Sequence, residues 1–283
     1  MENVWWIQHT SISGICIPTA SYFGPTDILA TPVGVSKLKL LRGRFRLAIR
    51  FTYPVVPIDF NDLLAALQKY GYKVPKAPPM PIGSGATLEP AGGAIAQMGD
   101  ITIDADLNRG IVGVESSSSK DMLTAFLQLL EILEKDLQLE TSKHTWFVEF
   151  VSDLNVEGSK KAIDAIRNAY PSTRIVEVAS KVVEEPSGSY GLRFGSMEHD
   201  PTEPNWFDMR VEPLVRSSRI YYVSFVYRNA DTKRVLRITH DVESKIEQLI
   251  NAIESEEPNS KSARTIPAKQ RTVRQSISAT RSN

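Results

Sequence analysis

Apolar and polar residues alternate along residues 44–53, and this period of two predicts a β-strand. Phe45, Leu47, Ile49 and Phe51 fall on one face of that strand, whereas its other face is rich in arginine. A helix follows, with Asp59 placed as its N-cap and Gly71 at its end. After a Pro- and Gly-rich loop, short strands are predicted at 94–98, 101–106 and 111–115.

The clearest helix of the chain begins after Ser118, which forms a capping pattern with Asp121. Apolar residues recur at helical spacing along its length and form one stripe: Met122, Phe126, Leu129, Leu130, Leu133 and Leu137. We place Leu130 at the centre of this stripe and expect its side chain to be buried in the core.

The second half of the chain repeats this order of elements. The pattern predicts strands at 145–152, 174–183, 190–197, 206–215 and 219–228, and helices at 159–170 and 236–253. The spacing is regular, since Phe147 follows Phe45 by 102 residues and Met197 follows Met98 by 99. We interpret this as a tandem duplication of a strand–helix–strands–helix unit, with an antiparallel sheet backed by helices in an α+β fold.

Four regions follow from these patterns: an irregular N-terminal extension (1–43), a first repeat (44–140), a second repeat (141–257) and a tail (258–283). The duplicated unit resembles the saddle of the TATA-binding-protein superfamily in its order of elements. The resemblance implies one antiparallel sheet with helices on one side. The paired Phe wedges and the basic strand motif with which that family contacts DNA are not matched, so the resemblance implies a fold and not promoter binding.

Composition narrows the class of protein. The 283 residues are 42% hydrophobic and 23% charged, which is typical of a globular chain. The single cysteine, Cys16, excludes an internal disulfide framework and a cysteine-built zinc site. No apolar run is long enough for a membrane span, and residues 1–6 lack the pattern of a signal peptide. We therefore expect a soluble cytoplasmic protein with no membrane partner.

The net charge of zero hides an asymmetry between the tail and the rest of the chain. Residues 258–283 hold six basic and no acidic residues, which leaves 27 basic against 33 acidic in 1–257. The basic residues are Lys261, Arg264, Lys269, Arg271, Arg274 and Arg281. Few apolar side chains accompany them, so we expect a disordered tail. It either binds nucleic acid weakly and without sequence preference, binds an acidic partner, or remains a solvated terminus.

Candidate catalytic and metal-binding groups are few. Asp100, Asp104 and Asp106 share one face of the strand at 101–106, where three carboxylates suit Mg²⁺ or Ca²⁺, although the solvated face of a half-buried strand is the favoured explanation. The chain has no phosphate loop, dinucleotide fingerprint or serine elbow, and we expect no cofactor. Gly158-Ser159-Lys160 opens a helix and offers N–H groups to an anion or serves as an ordinary cap.

The most informative feature is aromatic. On the strand at 219–228, one face carries Tyr221, Val223, Phe225 and Tyr227, the other face is also largely apolar, and Trp206 lies on a neighbouring strand. If helices cover one face of the sheet, the other still needs a cover. Candidates for the cover are the N-terminal extension, the other repeat, a second subunit or a ligand.

These observations favour a non-catalytic binding or scaffold protein that uses its sheet surface for a protein partner or a second copy. Tyr221, Phe225, Tyr227 and Trp206 are the candidate binding residues on the sheet, and the six basic residues are those of the tail. The alternative is an enzyme with a carboxylate-containing site around Asp104 and Asp106.

Overall fold

The structure, a computed structural model, describes residues 9–12, 15–18, 38–52, 58–74, 93–170 and 173–256. Two compact units make up the chain, Met1–Val35 and Ser36–Asn283. In the first unit, β1 (His9–Ile12) and β2 (Ile15–Pro18) pair as an antiparallel hairpin in which Ile12 lies opposite Ile15. The predicted loop around residues 75–85 and the tail at 258–283 lie outside the described residues.

One antiparallel sheet of eight strands dominates the second unit, as the predicted α+β class requires. Its strands are β3 (Lys39–Phe51), β4 (Gly93–Met98), β5 (Ile101–Asp106), β6 (Ile111–Ser116), β7 (Thr145–Glu157), β8 (Leu192–Gly195), β9 (Trp206–Pro213) and β10 (Ile220–Asn229). Their spatial order is β4-β5-β6-β3-β7-β10-β9-β8. The two longest strands, β3 and β7, therefore pair at the centre, and β3 begins five residues before the predicted strand.

Seven helices connect or follow these strands in the described part of the chain. They are α1 (Phe60–Lys69), α2 (Ser119–Lys135), α3 (Thr141–His144), α4 (Ala162–Ala169), α5 (Arg174–Val183), α6 (Thr232–His240) and α7 (Val242–Ser255). The predicted caps are confirmed, because the Asp59 carboxylate accepts from the N–H groups of Asn61 and Asp62 and the Ser118 hydroxyl accepts from that of Asp121.

Two element predictions in the second half are wrong. Residues 174–183 form helix α5 and not the predicted strand. Ile175, Val178 and Val182 recur at helical spacing, and the strand prediction had considered only alternation. Residues 236–253 do not form one helix, since α6 ends at His240 and α7 begins at Val242, with Asp241 between them. The predicted strand at 190–197 is shorter, and β8 covers four residues.

The core lies between the helices and one face of the sheet. β3 contributes Phe45, Leu47 and Ile49, and these side chains share one buried cluster with residues of α1, α2, α4, α6 and α7. The opposite sides of the same strands do not enter that cluster. The sheet therefore has one face covered by helices, as the amphipathic strand pattern requires.

The predicted binding residues Tyr221, Phe225 and Tyr227 belong to the covered face. Only 0%, 7% and 8% of their surfaces are exposed, and all three belong to the core cluster. Their expected place on an exposed sheet surface therefore needs correction. Alternation along β10 puts them on the same side as Val156 and Leu154 of β7, and the helices supply the cover.

The sequence Gly158-Ser159-Lys160 binds an anion that the chain itself supplies. The Glu254 carboxylate of α7 accepts hydrogen bonds from the Ser159 N–H (3.2 Å), the Ser159 hydroxyl (2.5 Å), the Lys160 N–H (3.0 Å) and the Tyr221 hydroxyl (3.1 Å). Burial, together with the charge of Glu254, raises the pKa of Tyr221 far above its usual value. Gly158 must lack a side chain, because a Cβ there would collide with Glu254 and Tyr221.

We expect Leu129→Ala to lower the free energy of unfolding by about 2–5 kcal/mol, because Leu129 is fully buried in α2. Leu130, the residue we placed at the centre of the stripe, is only half-buried at its margin, so Leu130→Ala should cost less. Urea unfolding followed by circular dichroism measures both. Exposed Leu127 provides the control, and an equal loss for Leu127→Ala would contradict this assignment of the core face.

We expect Glu254→Ala to lower the free energy of unfolding by about 2–4 kcal/mol, because the buried Tyr221 hydroxyl and three part-buried donors of Ser159 and Lys160 lose a charged acceptor. Glu256→Ala, two residues further on at an exposed position, is the matched control and should change stability little. Equal denaturant midpoints for the two variants would show that the Glu254 hydrogen bonds do not fasten α7.

Candidate functional site

The sheet face that points away from the helices, here called the open face, is the candidate site. Along β10, side chains alternate strictly between buried and half-buried, and Tyr222, Ser224, Val226 and Arg228 are the half-buried ones on the open face. The register extends this face across the sheet, because Ser224 lies between Asp153 of β7 and Arg210 of β9. The face therefore results from strand alternation in a sheet whose other face is packed against α1, α2, α4, α6 and α7.

The open face is rich in charge, and the two signs balance. Among the described strands, the register places eight basic residues on it: Lys39, Arg42, Arg44, Arg46, Arg50, Arg193, Arg210 and Arg228. It also places eight acidic residues there: Asp104, Asp106, Glu115, Glu149, Asp153, Glu157, Asp208 and Glu212. The open face thus has no excess of either charge.

Five of these seven arginines form ion pairs with carboxylates of the same face, and three of the five pairs join adjacent strands. Both Glu115 oxygens accept from Arg44, each at 2.7 Å, and both Asp208 oxygens accept from Arg193 at 2.7 and 3.0 Å. The Glu115 hydrogen bond raises the pKa of Arg44. Such two-point pairs have a fixed geometry, so they orient the guanidinium groups across the sheet.

The pair between Arg46 and Asp104 depends on a glycine. Arg46 lies on β3 and Asp104 on β5, and the two side chains meet above Gly113 of β6, at 3.1 and 2.5 Å between nitrogen and oxygen. A Cβ on Gly113 would approach Asp104 Oδ1 to 2.8 Å and Arg46 Nη2 to 2.9 Å. Burial opposes the charged form of Arg46, but the hydrogen bond and charge of Asp104 outweigh it and raise its pKa.

The three carboxylates considered for a metal site do not converge. Asp104 pairs with Arg46, and Asp106 accepts from the Arg109 N–H. Asp100 accepts from Ser116 and from the hydroxyl and N–H of Ser117, and these hydrogen bonds, that of the Ser117 hydroxyl foremost, lower its pKa. No group of three or more metal-binding side chains occurs among the described residues. The metal alternative is therefore wrong, since each carboxylate has its own partner.

One aromatic cluster lies where the central strands end. Arg50 Cζ is 4.6 Å from the centre of the Trp146 ring and 5.6 Å from that of Phe147. On the other side, Arg228 Cζ is 4.4 Å from the Phe147 ring and 5.5 Å from the Trp206 ring. A guanidinium cation is attracted to the face of an aromatic ring, so these five side chains form one packed unit. We call this unit the Arg–Trp cluster.

Of the Arg–Trp cluster, sequence reasoning found only Trp206. Trp146 and Phe147 are adjacent in β7 and would point to opposite faces of a regular strand, but a register shift between Arg50 and Phe51 interrupts the ladder here. Their ring centres are only 5.0 Å apart. A β-bulge changes the direction of the side chains beside it, and no pattern in the sequence predicts the irregularity at this position.

The remaining candidates are the tail and the histidines. The six basic tail residues are outside the described residues. His240 contacts Asp241 on an exposed segment. His199 contacts Glu203 and lines one cavity with Trp206 and Arg228 of the Arg–Trp cluster. No helix in the described ranges is long and apolar enough to cross a lipid bilayer.

Comparison with known proteins adds no relative. The chain matches no protein-family model, no curated protein and no solved structure.

Proposed function

We propose that this protein is a non-catalytic binding or scaffold protein that docks a protein partner on the open face of its sheet. One observation carries the proposal: the helices cover only one face, and the other face remains half-exposed while holding ordered ion pairs and two tryptophans. Arginine and tryptophan are enriched among the residues that dominate protein–protein binding. The partner is either another protein or a second copy of this chain.

The charge balance of the open face favours a protein partner over nucleic acid. A surface that binds duplex DNA needs an excess of positive charge to replace the counterions of the phosphates. Here eight carboxylates accompany eight basic groups, and the guanidinium groups of Arg44, Arg46 and Arg193 are already paired. Any binding of nucleic acid is therefore assigned to the basic tail.

The same surface argues against the enzyme alternative. Asp104, one of the two carboxylates on which that alternative rests, accepts two hydrogen bonds from Arg46, and Asp106, the other, accepts one from the Arg109 N–H. An acid–base catalyst must exchange a proton with a substrate, and a carboxylate engaged on both oxygens is a poor one.

We further propose that the sheet arose by tandem duplication, with a saddle like that of the TATA-binding-protein superfamily. The strand order supports this, because β4-β5-β6-β3 and β7-β10-β9-β8 are the same arrangement related by a two-fold axis between β3 and β7. In each half, the longest strand comes first in the chain and the last strand of the half pairs with it. The open face then combines two copies of one surface.

A photo-crosslinking amino acid in place of Val226 should join the protein to a discrete partner in cells, because this side chain lies on the open face. The same probe at exposed Gln248 of α7 should not.

With the identified partner purified, Ser224→Arg should weaken binding at least tenfold by placing a bulky cation at the centre of the face. Gln248→Arg should leave affinity unchanged. Calorimetry measures both affinities, and equal melting temperatures of the two variants show that both are folded. Equal affinities of the two variants would place the interface elsewhere.

For the tail, we expect weak binding to duplex DNA, with dissociation constants of about 10⁻⁴–10⁻⁶ M at physiological salt. Six basic residues predict a log–log salt slope no steeper than about −5. Fluorescence anisotropy of a labelled duplex at two salt concentrations measures both. Replacement of the six by glutamine should abolish binding, whereas Arg44→Gln on the open face should not change it. Binding that survives the tail replacement would contradict the assignment of DNA binding to the tail.

A further inference from the structure

We propose that Arg50 is the recognition point of the open face and binds a carboxylate group of the protein partner, an aspartate, a glutamate or a chain terminus. This inference rests on the proposed function and specifies the chemistry of the partner. Arg50 differs from the other half-buried arginines of the same face in its contacts.

Arg50 is half-buried, yet its guanidinium group makes no hydrogen bond or ion pair with any described residue. The other half-buried arginines of the face all have carboxylate partners: Arg46 with Asp104, Arg228 with Glu149 and Arg210 with Glu212. A guanidinium group carries five N–H donors and no acceptor. At Arg50 these donors remain available to a ligand.

The register explains why Arg50 has no partner within the sheet. Its direct neighbours are Phe147 on β7 and Ile111 on β6, so apolar side chains flank it on both strands. The nearest acidic residue along β7, Glu149, accepts instead from Arg228, at 3.0 and 2.6 Å. Arg228 is held further by the Pro201 carbonyl at 2.9 Å. The sheet thus neutralises one arginine of the Arg–Trp cluster and leaves the other free.

The aromatic rings prepare Arg50 for binding. Trp146 and Phe147 lie against the guanidinium group and restrict its motion, so less side-chain entropy is lost when a ligand binds. A planar fork of N–H donors matches the two oxygens of a carboxylate. Trp146 and Trp206 remain half-exposed beside it and offer apolar surface to the residues that flank the acidic group.

A carboxylate fits this site better than a phosphate group does. The open face carries eight carboxylates of its own, with Glu149 two residues from the partner position of Arg50 on β7. A phosphate brings nearly twice the negative charge and is repelled more strongly by these groups. A single carboxylate adds one charge, which Arg50 offsets, and it leaves the rest of the interface to the tryptophans.

The experiment selects random twelve-residue peptides by phage display against the full-length protein. Synthetic versions of the selected peptides are then measured by calorimetry against the native protein, Arg50→Ala and the control Arg237→Ala, an exposed arginine of α6 that lies off the open face. We expect the selected peptides to share an acidic residue. Their affinity should fall at least tenfold with Arg50→Ala and change less than twofold with Arg237→Ala. Substitution of the shared residue by its amide should weaken binding to the same extent as Arg50→Ala. Arg50→Lys should recover only part of the affinity, because an ammonium group lacks the fork.

Two outcomes separate the failure of this inference from that of the proposed function. Peptides that lose binding with Ser224→Arg, but contain no acidic residue or ignore Arg50→Ala, would overturn the role of Arg50 and leave the open face as the binding site. Selection of peptides that ignore every open-face variant, or of none, would overturn both. Stronger binding of a phosphoserine version than of the aspartate version would also overturn the proposal, in favour of a phosphorylated partner.

Discussion

The antiparallel pairing of β3 with β7 is the constraint on which the rest of the sheet depends. These two strands are the longest of the sheet, and each is the inner member of one four-stranded half. Their register sets Phe45 opposite Ser152 and Leu47 opposite Phe150 on the covered face, and Arg46 opposite Val151 on the open face. A slip of one residue would exchange the two faces, so this pairing fixes both the core and the surface.

Charged side chains on the open face form ion pairs that join different strands. Exposed ion pairs contribute little to stability, typically below about 1 kcal/mol each. Their importance here is geometric, because two-point pairs such as Arg44–Glu115 and Arg193–Asp208 hold long side chains flat across the sheet. The result is an ordered and mainly charged surface on the described strands.

The Arg–Trp cluster shows how a local irregularity brings distant side chains together. The register shift beside Arg50 brings Trp146 and Phe147 to the same guanidinium group, which a regular ladder would prevent. The same stretch lacks a carboxylate for Arg50, whereas Arg228, on the far side of the Phe147 ring, has Glu149. Two arginines on one aromatic ring therefore differ in what remains for a ligand.

The sequence by itself determined the strands of the first half, helices α1 and α2 with their caps, and the antiparallel α+β class, because alternation, helical stripes and capping residues are local signals. Only the tertiary structure decided which apolar face of β10 is covered, since both faces look alike along the chain. It also decided that Glu254, 95 residues away, fills the anion site at Ser159, and that Arg50 meets Trp146. These contacts depend on strand order and register, which no local pattern encodes.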